Sequence, residues 1–186
     1  MPRQARKPSS SGYLHVIVRG IGKQSLFEDT EDYLFFLGAM ERFARETQIT
    51  VCAYCLMDNH VHMLLKDSSG KLALMMKKLG VSYSGYFNRK YDRVGHLFQD
   101  RYLSEAVEDD AYLLAVFRYI LRNPEKAGIC RVEEYRWSSY RAYADRNNFA
   151  ETEILESLIG NWEQYVAFIN EFDDTQCLEF EPIRHN

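Results

Sequence analysis

Along the first two thirds of the chain, short apolar runs alternate with longer stretches in which apolar residues recur every three or four positions. The pattern predicts a strand near Tyr13 to Arg19, a helix from Thr30 to Thr47 and a second strand from Thr50 to Met57. Asp58-Asn59 supplies turn chemistry before a third strand, His60 to Leu65. A helix then spans Lys71 to Tyr91, a fourth strand lies within Gly95 to Val107, and a helix opens at Asp109-Asp110. Pro124 disfavours helical geometry at Asn123, so this last helix is expected to end there. The order β-α-β-β-α-β-α is that of an α+β, ferredoxin-like antiparallel sheet covered on one face by helices. Helical patterns at Glu151 to Ile159 and Trp162 to Phe172 add a C-terminal extension, dividing the chain into a main domain, 1–145, and a packed extension, 146–186.

Composition and charge refine this division. The 186 residues, 46% hydrophobic and 14% aromatic, are enough for one substantial core. No apolar run approaches a membrane span and the start lacks a signal-peptide core, so the expectation is a cytoplasmic protein without a membrane partner. The net charge of -4 hides two halves: residues 1–144 carry 21 Lys+Arg against 17 Asp+Glu, and residues 145–186 carry 2 against 10. Arg3, Arg6 and Lys7 lie in an acid-free arm, 1–12, expected to be mobile, and Arg89 and Lys90 lie on the second helix; these are candidate phosphate contacts. From charge alone, the helix residues serve equally well as a solvated face. Cys52 and Cys55 form a Cys-x-x-Cys, but two thiols on opposite faces of a strand grip a metal poorly, so buried, reduced cysteines are expected.

The candidate chemistry begins with His60-Val61-His62. Residues two apart on a strand share a face, roughly 6.5 to 7 Å apart, so both imidazoles can hold one metal ion. Alone, such a pair is more often half-buried and satisfied by backbone carbonyls. Tyr119 and Asn123, four apart on the last helix, share a face that can present a phenol and an amide oxygen to the same point. Each alone reads as a core aromatic and a helix terminator; it is the combination that points to a site. Tyr83 and Tyr86, three apart on the second helix, are rival nucleophiles, but Tyr83 is followed one turn on by Phe87 and has no polar ligand there.

Four ordered stretches, Met57-Asp58-Asn59-His60-Val61-His62-Met63-Leu64-Leu65, Gly95-His96-Leu97-Phe98-Gln99-Asp100-Arg101-Tyr102, Arg118 to Gly128 and Trp137-Ser138-Ser139-Tyr140, resemble the single-tyrosine HUH transposases, especially the REP-associated tyrosine transposases. The resemblance spans about residues 12 to 145. It implies that His60 and His62 bind a divalent metal, Mg2+ or Mn2+, that Asn123 completes the site, and that Tyr119 attacks DNA. His96 is also a candidate third ligand, for which the resemblance implies a structural or DNA-contacting role, and Gln99 and Arg101 are candidate DNA contacts. Asp58 departs from the family, which often has proline there; its carboxylate either adjusts the turn or stands beside the metal.

The chemistry can be argued independently. A divalent cation polarises a phosphodiester and holds it in line with the phenol, while positive charge from Arg118 and Arg122, also candidate DNA contacts, favours phenolate. The resemblance adds a 5′-phosphotyrosine and a free 3′ hydroxyl, with single-stranded or hairpin DNA as partner and no nucleotide cofactor. Monomer and homodimer are both compatible with this reading. The alternatives are a hairpin-binding protein that does not cut, and a zinc hydrolase using His60, His62 and a carboxylate.

Overall fold

The computed structural model describes residues 9–144, 148–171 and 177–178. Its strands are β1 (Tyr13–Arg19), β2 (Thr50–Leu56), β3 (His60–Lys66) and β4 (Leu103–Val107), and its principal helices are α1 (Thr30–Thr47), α2 (Leu72–Lys90), α3 (Asp110–Lys126), α4 (Glu153–Ile159) and α5 (Trp162–Asn170). The sheet is antiparallel throughout, in the order β2-β3-β1-β4, which is the ferredoxin-like arrangement expected from the element order.

Local chemistry sets the helix starts. Asp29 caps α1 by accepting from the Glu31 and Asp32 backbone N–H groups, and Asp32 reaches back to the Asp29 N–H, a reciprocal box. Asp67 does similar work before α2, accepting from the Lys71 and Leu72 N–H groups, and Asp109 caps α3 through Tyr112 N–H. Helix α3 does not stop at Asn123 as the proline suggested. It runs three residues further because Pro124 falls in the last turn, where only one backbone bond is forfeited, and the Ala127 N–H still reaches Asn123 O at 2.9 Å.

Helices cover both faces of the sheet, not one. Leu14, Val16 and Val18 of β1 pack with α1 and α2, whereas α3, α4 and α5 close the opposite face over Leu64, Val116, Ile120, Leu155 and Tyr165. Cys52 sits at a register shift between Val51 and Ala53, so the alternation slips and Cys52 and Cys55 share the α3-side core instead of facing apart. Both are free buried thiols, and burial pushes the Cys52 thiol up to about 12. The Trp137-Ser138-Ser139-Tyr140 stretch seals the β2 edge: Leu56 N–H donates to Trp137 O, Tyr54 N–H to Ser139 Oγ, and Tyr135 OH to Leu56 O. Among the described residues, no helix is long and apolar enough to cross a membrane.

Candidate active site

The α3 side of the sheet holds the chemistry. Pairing of β1 with β3 places Ile17 opposite His62 and His15 opposite Leu64. Since Leu14 and Val16 turn toward α1 and α2, His15 turns the other way and joins His60 and His62 on the α3 side. The His60 and His62 ring centroids are 5.0 Å apart, and His15 Nε2 lies 3.0 Å from His62 Nδ1. The ring of Tyr119 meets His62 edge-on at 5.5 Å and His15 at 5.9 Å. His60 keeps its Nδ1 on Asn59 Oδ1 at 2.6 Å and is half-buried, whereas His15 and His62 are buried.

Burial controls the charge of these rings. Desolvation, aided by the fields of His15, His60 and Lys126, holds the His62 pKa well below its ordinary value, and desolvation takes His15 down to about 3. Both are therefore neutral imidazoles, the form that binds metals. Asn123, one turn after Tyr119, donates its Nδ2 to Tyr119 O at 2.9 Å, leaving its oxygen as the end suited to a cation. The imidazoles of His60 and His62 with the Asn123 amide oxygen are a donor set that fits a divalent cation such as Mg2+ or Mn2+, with positions left for other ligands. Among the described residues, no three His, Cys, Asp or Glu side chains converge on one point, so none of the carboxylates there completes the zinc-hydrolase set with His60 and His62.

The cation beside Tyr119 is one the sequence reading missed. Lys126 Nζ stands 4.3 Å from the Tyr119 ring centroid, two helical turns on and on the same face, a position created by continuation of α3 past Pro124. Arg118 and Arg122 lie off that face and turn to α5. Arg118 stacks on Phe168 and reaches Glu171 Oε2 at 3.4 Å, while Arg122 donates to Glu171 O at 3.0 Å and pairs with Glu125. The cation placed against the Tyr119 ring is therefore Lys126, where the sequence pointed to the two arginines.

The other predicted residues are scattered. Arg3, Arg6 and Lys7 lie outside the described residues; Ser10, from the end of that arm, bonds through its N–H and Oγ to Glu108. Arg89 is exposed on α2, but Lys90 is drawn into an internal cluster, 2.7 Å from Asp29 and 2.9 Å from Asp32, with the Tyr86 and Tyr91 hydroxyls bonded to Asp32. His96, Gln99 and Arg101 line a cavity of about 850 Å³ with Val18, Lys77 and Tyr102 on the α2 side of the sheet, away from the imidazoles. Tyr83 is fully buried with its hydroxyl on Leu26 O, which removes it as a rival nucleophile. Asp58 is a turn residue: its carboxylate accepts the Asn59 N–H and its carbonyl accepts from Leu26.

A family model described as transposase, IS200-like, matches residues 8–123. Among solved structures, a REP-associated tyrosine transposase bound to a REP hairpin is 16% identical over 80% of this chain and 88% of its own, with a TM-score of 0.68, a likeness of fold. A transposase candidate from Deinococcus radiodurans R1 covers 63% of this chain and 95% of its own at 16% identity, and tRNA(His) guanylyltransferase from Saccharomyces cerevisiae covers 86% and 72% at 11% identity, each with a TM-score of 0.45. No curated protein matches the chain.

Proposed function

Because the chain belongs to the IS200-like transposase family, we propose that it is a strand transferase that cuts single-stranded DNA beside a hairpin by joining it covalently to Tyr119. The observation that carries this reading is the meeting of the Tyr119 ring with His62, and of His62 with His60, beneath the Lys126 ammonium. Tyr119 Oη forms the new bond to phosphorus as the bond to the 3′ oxygen breaks, giving a 5′-phosphotyrosine and a free 3′ hydroxyl. Attack by a 3′ hydroxyl on that link reverses the exchange; one ester replaces another, so no nucleotide cofactor is consumed.

His60, His62 and the Asn123 oxygen would hold Mg2+ or Mn2+, which when bound supplies Lewis-acid polarisation of the phosphodiester. The protein's own part is positional and electrostatic. Helix α3 fixes the phenol against the strand that carries the histidines, and burial excludes water from its ring. Lys126 offers positive charge to the phenolate and to the phosphate joined to it. A hairpin partner is supported by the ligand of the structural neighbour with the same fold, and by basic Arg89 and Arg101, both exposed.

The test is Tyr119→Phe, which removes one hydroxyl. It should abolish the protein-DNA adduct that survives denaturing gels while hairpin affinity stays nearly constant. An adduct of normal yield from this variant would place the nucleophile elsewhere and overturn the reading.

A further inference from the structure

We propose that His15 is a positioning residue that fixes His62 as its Nδ1–H tautomer and so keeps His62 Nε2 free to hold the divalent cation. The proposal rests on the metal reading above and deepens it. The two rings are stacked at 5.3 Å with His15 Nε2 and His62 Nδ1 3.0 Å apart, and both side chains are buried, so no water competes for that contact.

One proton lies between these nitrogens, and its owner decides whether His62 is a ligand. If His15 donates, His62 carries its own proton on Nε2 and has no lone pair there for a cation. If His62 donates, Nε2 is bare and ready to bind. Metal-bound histidines commonly give their other N–H to a carboxylate or carbonyl that fixes the ring; here the acceptor is a second imidazole on the neighbouring strand. Glu105, opposite His15 on β4, turns its carboxylate to the Tyr112 hydroxyl, accepting from it at 2.6 Å.

Packing alone does not account for this residue. Among the described residues, His15 Nδ1 is buried without a hydrogen-bond partner, a penalty whichever way the shared proton points, and an apolar side chain in the middle of β1 would avoid it. The unsatisfied nitrogen is the consequence of using an imidazole where its far nitrogen must meet His62.

The experiment measures Mn2+ affinity by the loss of the free-ion electron paramagnetic resonance signal for the wild type, His15→Phe and His15→Gln. The Phe variant keeps the ring volume but removes the acceptor, and should bind Mn2+ about 10- to 100-fold more weakly. The Gln variant places an oxygen near the former Nε2 and should recover most of the affinity. Hairpin affinity in chelator should be the same for all three. In parallel, 15N spectra of histidine-labelled, metal-free wild type at neutral pH should show His62 protonated at Nδ1, a readout that does not depend on any variant folding. Wild-type affinity in a folded His15→Phe, equal loss in the Gln and Phe variants, or a His62 proton on Nε2 would each overturn the proposal. Failure of the wild type to bind Mn2+ would instead sink the metal reading, and the His62 tautomer would still decide the role of His15.

Discussion

Replacing Lys126 by Met should slow formation of the covalent adduct about tenfold without removing DNA binding. Nζ lies 4.3 Å from the Tyr119 ring centroid. A unit charge about 5 Å from a developing phenolate is worth about 3 kcal/mol at an effective dielectric near 20 and about 0.8 kcal/mol in bulk water. Lys126 is exposed at the end of α3, so solvent screens it and the value falls between these limits, about 1.5 kcal/mol, or about one decade in rate. The assay is a single-turnover time course of adduct formation at saturating hairpin DNA. Lys126→Arg keeps the charge and should retain most of the rate. A Met variant that reacts at the wild-type rate, or whose defect vanishes as DNA concentration rises, would show that Lys126 contributes binding alone and that the phenolate draws its stabilisation from elsewhere.

The remaining expectations concern the metal, acid and the α1–α2 cluster. His60→Ala and His62→Ala should each weaken Mn2+ binding and stop cleavage; cleavage undiminished in chelator would return both histidines to a packing role. In chelator, stability should fall as pH drops below about 6.5, because the unfolded chain takes up protons that buried His15 and His62 refuse. With His15 titrating at about 3 in the fold, each of the two histidines contributes up to about 1.4 kcal/mol per pH unit. Urea midpoints measured at neutral pH and near pH 5.5 check this, and a flat profile would contradict neutral, buried imidazoles. Lys90→Glu should lower the melting temperature by several degrees, since burial raises the Asp32 pKa but hydrogen bonds from Glu28 N–H, Lys90, Tyr91 and Tyr86 outweigh it and hold the carboxyl ionised. Arg89→Glu should leave melting unchanged and weaken hairpin binding at low salt, so an identical effect of both reversals on melting would refute the distinction between them.

Element order and the pairing of the candidate residues within each element were legible in the chain because they depend on short-range regularities. Alternation along β3 put His60 and His62 on one face, a four-residue step put Tyr119 and Asn123 on another, and both relations need only the geometry of a single element. His15 carried no such signal. It is one histidine between Leu14 and Val16, and only the register of β1 against β3, a pairing across nearly fifty residues, brings it to His62. Lys126 was within reach of helical spacing but lay beyond a proline read as a stop; packing of α3 against the sheet outweighs one missing backbone bond. The same dependence on distant partners explains Lys90 and Arg118. A basic side chain on a helix looks the same in sequence whether it faces solvent or a carboxylate, and the carboxylates here, Asp29, Asp32 and Glu171, arrive from other helices or the residues that flank them. Periodicity fixes which residues share a face; what that face meets is decided when the elements pack, because burial and charge pairing are properties of the assembled neighbours.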